Sequence, residues 1–409
     1  MKKKIGALNG ANFRMFWFGQ TASNFGDAFG FVALPLLVFE ATHSVAHMGT
    51  VTAATALGQL AASPVAGSLV DRLHRRRLMV ACDAARFVLY LALPWACGLS
   101  SFALGAICLL AFAAGSASNL FTTAYTAAVS NLVEAKDIAR ANARLQGSQA
   151  LAYVGGSLAA GYVAARYSPQ TALVVDACTF GLSALSLARI RFLRETMDRK
   201  QAPAKGWKDI KEGLGFLLAQ PTLRALTWFQ AAIGLLGSLG LGAAVIDLVV
   251  FRLKHDLGAG SDGVGVVLSV AAVGAVVGAV LAPKVEHSLG LGPACVAGTA
   301  LQGVGLVLAG WVPGVPLVAL GCLFWAGGLT LRSVAQLSLR QQLTPDRILG
   351  RVTSASWTGI FVASSIGAIL VTRAAQWSSA GLALAGVGIL LGVVSVVGLA
   401  TPLARKVGK

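Results

Sequence analysis

The chain has 409 residues, 56% of them apolar and only 12% charged, with 48 glycines, well above the average usage of about 7%. Its charges gather in short runs between apolar stretches longer than the roughly 18 residues that mark a spanning helix, which excludes a soluble domain charged on all sides. The formal net charge of +17 sits largely at the ends of those stretches, where anionic headgroups attract each cation by about 1 kcal/mol, so membrane lipid is the expected partner and nucleic acid is not.

Unpaired backbone groups are intolerable in hydrocarbon, and apolar runs without alternation exclude a barrel, so the expected fold is all-α and integral to the membrane. Reading apolar runs against Pro, Gly and charge punctuation predicts twelve spans: 13–39, 45–70, 77–98, 102–130, 138–165, 170–192, 222–250, 263–283, 291–311, 315–341, 349–373 and 378–402. Met1 to Lys4 is a basic start, but Arg14 interrupts any early signal-peptide core, so no cleavage is expected. All but six of the 33 Lys and Arg residues fall toward the two termini or in and beside the loops after spans 2, 4, 6, 8 and 10, some within the adjoining span ends. The six are Arg166, Arg252, Lys254 and Arg373 in the opposite loops, and Arg86 and Arg332 inside spans. Both termini are therefore expected in the cytoplasm, with the chain in the cell's inner membrane. The six cysteines lie within spans without C-x-x-C spacing or a partnering histidine and read as packing residues; no metal or cofactor is expected.

The longest polar stretch, Arg194 to Gln220, divides the chain into bundles at 1–193 and 222–409 joined by a linker over 194–221. Within it Trp207, Ile210, Leu214 and Leu217 recur at helical spacing among charged residues, which predicts an amphipathic helix in the headgroup plane; a flexible tether is the alternative. The turn Glu134 to Arg140 before span 5 resembles Thr344 to Arg351 before span 11, with Ile138 and Ile348 separated by 210 positions. Gly67 and Gly278 are separated by 211. Two six-span pseudo-repeats predict alternating access around a midplane site.

The segment Gly67-Ser68-Leu69-Val70-Asp71-Arg72-Leu73-His74-Arg75-Arg76-Arg77 resembles the loop signature of the major facilitator superfamily. That resemblance implies a conformational latch of Gly67, Asp71, Arg72, Arg75 and Arg76, packed against the start of span 11 and completed by Arg351. Without it, Arg75 to Arg77 simply set topology. His74 stands where the family has glycine, and Gly278 to Lys284 has lost the acidic position. The stretches Asn12 to Gln20, Ala33 to Leu36, Asp83 to Arg86 and Trp207 to Leu217 resemble the enterobactin-exporter and macrolide-efflux branch. The likeness implies proton-driven export of drugs, siderophores or other amphipathic small molecules by a monomer, with protons and the small-molecule substrate as partners. Gly156 replaces the proline of the antiporter signature in span 5, which leaves an importer or a lysolipid transporter of the same fold as the alternative.

Ionisable groups within spans cost at least about 2.5 to 3.5 kcal/mol on insertion scales, so each is a functional candidate. Asp27 lies thirteen residues beyond Arg14, roughly 20 Å deep at 1.5 Å per residue. Gln20 and Asn24 share its face. Asp27 either exchanges protons or makes a structural hydrogen bond to Asn24 or a neighbouring helix. No histidine is placed within a span, which leaves carboxylates for that task. Arg332, with Gln336 one turn on, either binds an anionic substrate, pairs with Asp27 or snorkels to the headgroups. Asp83 and Arg86, three apart, are expected to neutralise each other, and Asp176 and Asp247 to meet water near outer span ends. Asn142, Gln146, Gln149 and Tyr153 draw a polar stripe along span 5 that reads as a cavity wall. Asn119, Thr122, Thr123 and Tyr125 in span 4 line the path or glue helices. Trp228 and Trp357 stack on a planar substrate or pack. The spans hold no nucleophile–base pair, H-E-x-x-H motif or P-loop, so a transporter rather than an enzyme is expected.

Overall fold

The structure, a computed structural model, describes residues 11–96, 103–129, 132–133, 138–190, 207–237, 243–311 and 313–404. These residues are helical almost throughout, with no strand among them. The helices are α1 (Ala11–Thr42), α2 (Val45–Arg72), α3 (Arg75–Ala96), α4 (Ala103–Val129), α5 (Ile138–Arg166), α6 (Pro169–Arg189), α7 (Trp207–Ala219), α8 (Pro221–Leu235), α9 (Ala243–Phe251), α10 (Ser261–Leu289), α11 (Leu291–Trp311), α12 (Val315–Leu343), α13 (Asp346–Trp377) and α14 (Ala380–Leu399). A π-helical turn follows α9 at Arg252–Asp256. Among the described residues nine helices are long and apolar enough to cross a membrane: α1, α3, α4, α6 and α10 to α14. The helices at predicted spans 2 and 5, α2 and α5, have 28 and 29 residues, and at 1.5 Å per residue that is ample for a bilayer.

Three predicted boundaries change. Span 7 is two helices, since α8 stops at Leu235 and Gly237 takes φ +67°, the left-handed conformation open to glycine. Span 8 runs through Pro283 to Leu289, a helix interior that membrane packing tolerates. The connection to α11 is then one residue, Gly290 at φ +93°. Span 11 is longer than expected, so Arg373 lies inside α13 rather than in a loop. The amphipathic segment of the linker is a helix, α7, and not a tether; Leu217 is buried while Leu214 is exposed.

The chain forms two compact units. Unit 1 holds α1 up to Leu37 and then Leu57 through α6; unit 2 holds Val38–Ala56 together with α7 to α14. Unit 1 packs around Phe13, Phe16, Met79, Leu132, Leu145 and Leu187. In unit 2, α11 presents one glycine pair to each of two neighbours. Gly298 and Gly305 face Gly328 and Gly321 of α12, while Gly303 and Gly310 face Gly388 and Gly381 of α14. Both pairs are seven residues apart, the repeat at which one face of a helix returns, so each pair forms a seam along which two backbones touch. A Cβ at Gly303 would lie 2.7 Å from the Gly388 carbonyl oxygen, whereas one at Gly392 meets nothing within 4 Å. Gly303→Leu should therefore destabilise the chain by about 1 to 3 kcal/mol through overpacking and Gly392→Leu should not, read as thermal unfolding midpoints in detergent; equal midpoints would refute the seam.

Candidate functional site

Unit 1 gathers its ionisable side chains where α1, α3 and α6 meet. The seam that makes this possible lies on α1. Gly19, Gly26 and Gly30 face Ser186, Thr179 and Asp176 of the antiparallel α6, with the Asp176 carboxyl seated against Gly30. On the same pair of helices Gln20 donates from Nε2 to Ser183 Oγ at 3.0 Å. On the other side, Gly156 of α5 presses on α1: a Cβ there would come within 2.7 Å of both the Phe25 carbonyl oxygen and the Ala28 Cβ. The glycine found where the family signature has proline is thus the contact that lets α5 reach α1.

Arg86 is the centre of the group. It is buried, donates from Nη2 to Asp83 Oδ1, and holds Nη1 3.7 Å from Asp27 Oδ1. Its guanidinium carbon lies 4.4 Å from the Phe121 ring centroid and 4.1 Å from that of Phe180, so two aromatic rings lie against the cation. Asp83 is fully buried, whereas the Asp27 side chain keeps 30% exposure. Arg86 and Asp83 do pair, as expected, but the same guanidinium also serves Asp27. Water access does not account for Asp176, which is 0% exposed with neither oxygen hydrogen-bonded. Nor does it account for Asp247, also buried, which accepts from Thr52 Oγ1 at 2.6 Å within unit 2. Depth along a helix predicted water there, but neighbouring helices cover both carboxyls. His47 corrects the expectation about histidine: it lies in the first turn of α2 with Nδ1 buried and no hydrogen-bond partner.

Arg332 belongs to unit 2 and is buried there rather than snorkelling. It is 1% exposed, donates from Nε to Gln302 Oε1 at 3.1 Å and from Nη1 to Gln336 Oε1 at 2.9 Å. Its backbone sits on Gly298, which brings α11 and α12 close enough for Gln302 to reach it. Within unit 2 its donors are thus met by neutral amides, as Asp27 meets Arg86 within unit 1.

The remaining candidates divide by exposure. On α5, Gln146 is exposed and Gln149 and Tyr153 are half-buried, with Tyr153 edge-on to Phe31 at 6.3 Å; the Asn142 side chain lies outside the described residues. Asn24 is half-buried. Asn119 donates to the Gln59 carbonyl and Thr123 to the Asn119 carbonyl, so both tie helices or turns together. Trp228 and Trp357 are exposed, the latter stacked on Phe361 at 5.7 Å. In the loop motif, Arg76 donates to the Ile190 carbonyl at 2.9 Å and Arg75 is half-buried, while the side chains of Asp71 and Arg72 and the surroundings of Gly67 lie outside the described residues. Arg351 forms an ion pair with Glu212 of α7 at 2.6 Å, beside the backbone contact of Gly213 on α13. Both partners are well exposed, so the pair orients α7 more than it stabilises it. Among the described residues no group of three or more His, Cys, Asp and Glu side chains is arranged to hold a metal.

Asp176 is the carboxyl that the sequence places near water and the structure buries. It belongs to a stripe of Asp176, Thr179, Ser183 and Ser186 at i, i+3, i+7 and i+10, one face of α6, of which Asp176, Thr179 and Ser186 lie opposite glycines of α1.

Long apolar helices that enclose ionisable groups describe a membrane transporter. The chain belongs to the Major Facilitator Superfamily, which it matches over residues 16–368. It is 28% identical over 384 residues to the enterobactin exporter EntS of Escherichia coli (strain UTI89 / UPEC), covering 89% of this chain and 87% of that protein. Among solved structures it resembles the nucleoside transporter NupG with a TM-score of 0.76 at 11% identity, over 95% of this chain and 98% of that one. It resembles a D-xylose-proton symporter with a TM-score of 0.72 at 14% identity, over 96% and 99%. At these identities the two structures share the fold. The chain is therefore a multi-pass transporter of small molecules.

Losing the guanidinium would strand two carboxylates, which for buried pairs costs about 3 to 5 kcal/mol, while Arg332 leaves only neutral amides behind, at about 1 to 3 kcal/mol. Arg86→Met should thus lower the thermal unfolding midpoint in detergent more than Arg332→Met does; the reverse order would sink the ion-pair assignment.

Proposed function

We propose that the chain is a secondary active exporter that moves amphipathic small molecules (drugs, siderophores or other secondary metabolites) across the inner membrane in exchange for protons. The reading rests above all on Asp27. Of the three carboxyls gathered near Arg86, it alone combines a cation at 3.7 Å with residual exposure. When Asp27 takes up a proton it gives up its claim on Arg86, and the guanidinium stays with Asp83. When the proton leaves, Arg86 is shared again. One buried cation with two arrangements is the kind of element that a proton can bias.

In this reading residues 1–193 and 222–409 rock as two bundles about the linker 194–221, with both termini cytoplasmic and the protein acting as a monomer. Asn24, Asn142, Gln146, Gln149, Tyr153 and Trp357 contact cargo, while Gln20, Asn119, Thr123 and Gln336 position the helices behind them. Arg332, held by two amides, offers a cation to an anionic portion of the cargo. The loop Gly67, Asp71, Arg72, Arg75 and Arg76 with Arg351 latches one conformation. The similarity to an enterobactin exporter supports the direction and the cargo class. Import, or movement of lysolipid, is the second reading, favoured by Gly156 in place of the signature proline.

In inverted vesicles an imposed pH gradient should drive cargo accumulation, and Asp27→Asn should abolish it without lowering expression. Transport unchanged by that substitution would remove Asp27 from the mechanism, and accumulation in right-side-out vesicles instead would assign the importing direction.

A further inference from the structure

We propose that Asp176 is a second proton-exchanging carboxyl, a closed store that passes its proton to Asp27. The inference rests on the reading of Asp27 as the proton acceptor and extends it to a residue that reading does not use.

Its first support is position. Asp176 lies on α6 with its carboxyl against Gly30 of α1, and a Cβ on Gly26 would come within 2.9 Å of its Oδ1. Those glycines flank Asp27 at one residue before and three after, so the Asp176 carboxyl spans the turn of α1 that carries Asp27. The Gly30 N–H that faces Asp176 also serves its own ladder along the α1 axis, and no donor among the described residues meets either Asp176 oxygen in full hydrogen-bond geometry. Larger residues at 26 or 30 would occupy this space. The room for an unpaired carboxyl is therefore built into the α1–α6 contact.

The second support is the charge count. Facing this point are Asp27 from α1, Asp83, Arg86 and Tyr90 from α3, Tyr153 from α5 and Asp176 itself from α6. The surrounding groups Phe121 of α4 and Phe180 of α6 are apolar and cover Arg86. Three carboxyls thus surround one guanidinium, and the tyrosines are neutral phenols. An isolated carboxylate in such surroundings takes a proton rather than remain an ion. Arg86 compensates one negative charge, bonded to Asp83 and within 3.7 Å of Asp27. Asp176 forms no ion pair among the described residues, so its carboxyl is where a proton is held.

The step balances simply. Asp176 as the acid and Asp27 as the carboxylate become Asp176 as the carboxylate and Asp27 as the acid, with one proton moved and no electrons. Asp27, partly exposed, exchanges with water; Asp176, closed off, reloads it. Arg86, released by the protonated Asp27, is the cation nearest to the new charge on Asp176.

The test uses the full chain in nanodiscs and in inverted vesicles, comparing the native protein with Asp176→Asn, Asp176→Glu and Asp27→Asn. The infrared spectrum of the native protein should contain a band from a protonated, unbonded carboxyl that Asp176→Asn removes, Asp176→Glu shifts and Asp27→Asn retains. Efflux driven by a pH gradient should fall at least about tenfold in Asp176→Asn and recover in part, with a displaced pH profile, in Asp176→Glu. If the Asn variant does not fold, the Glu variant alone carries the comparison. A band that neither substitution alters, or an unchanged pH profile in Asp176→Glu, overturns the store. An Asp27→Asn protein that still transports against the gradient overturns the underlying reading instead, whatever Asp176 does.

Discussion

Helices surrounded by lipid gain little by hiding apolar surface from one another, because acyl chains are as apolar as leucine. What holds them is close contact, and in this chain close contact is made by glycine. The seams of α11 against α12 and α14 bring backbone against backbone in unit 2, and in unit 1 the glycines of α1 admit side chains of α6. The second seam has a different consequence from the first. Facing Gly26 and Gly30 are not further glycines but Thr179 and Asp176, so the space freed by the missing side chains is filled by polar groups.

That arrangement explains how ions are retained where insertion disfavours them. Arg86 lies against two aromatic rings and within reach of two carboxyls, so its charge is compensated from α1 and from its own helix together. A buried pair of this kind contributes little net stability, since desolvation offsets the attraction, yet removal of one member is costly. Such a group persists because it specifies an arrangement or switches between two. Unit 2 is built differently. Arg332 is held by the amides of Gln302 and Gln336, which satisfy its donors without cancelling its charge. In unit 1 three carboxyls thus gather near one guanidinium, whereas in unit 2 the Arg332 guanidinium is met by neutral amides, a chemical difference beneath the weak internal repeat.

The glycine of α5 shows how the same residue reads differently at two levels. In the sequence Gly156 is a departure from a family signature and bears on direction of transport. In the fold it is the point where α5 rests on the Phe25 carbonyl of α1, a contact that any side chain would displace. The stripe Gln146, Gln149 and Tyr153 therefore belongs to a helix pinned against α1 near Asp27, and the polar face and the ionisable group come together through a residue with no chemistry of its own.

The all-α membrane class, the approximate course of most helices, the helical nature of the linker segment and the family were legible from the amino-acid sequence because their causes are local. Apolar run length, the need of every backbone group for a partner in lipid, and the spacing of charges all act within one helix or one loop. The Asp27, Asp83 and Arg86 candidates came from the same local rule that ions are rare in spans. What the tertiary structure alone decided was pairing and cover. Arg86 serves Asp27 as well as Asp83, Asp176 is sealed rather than wetted, and predicted span 7 breaks at Gly237 where α13 presses on it. Each depends on which face of a helix meets a neighbour tens to hundreds of residues away, and hydropathy along one helix carries no record of that neighbour.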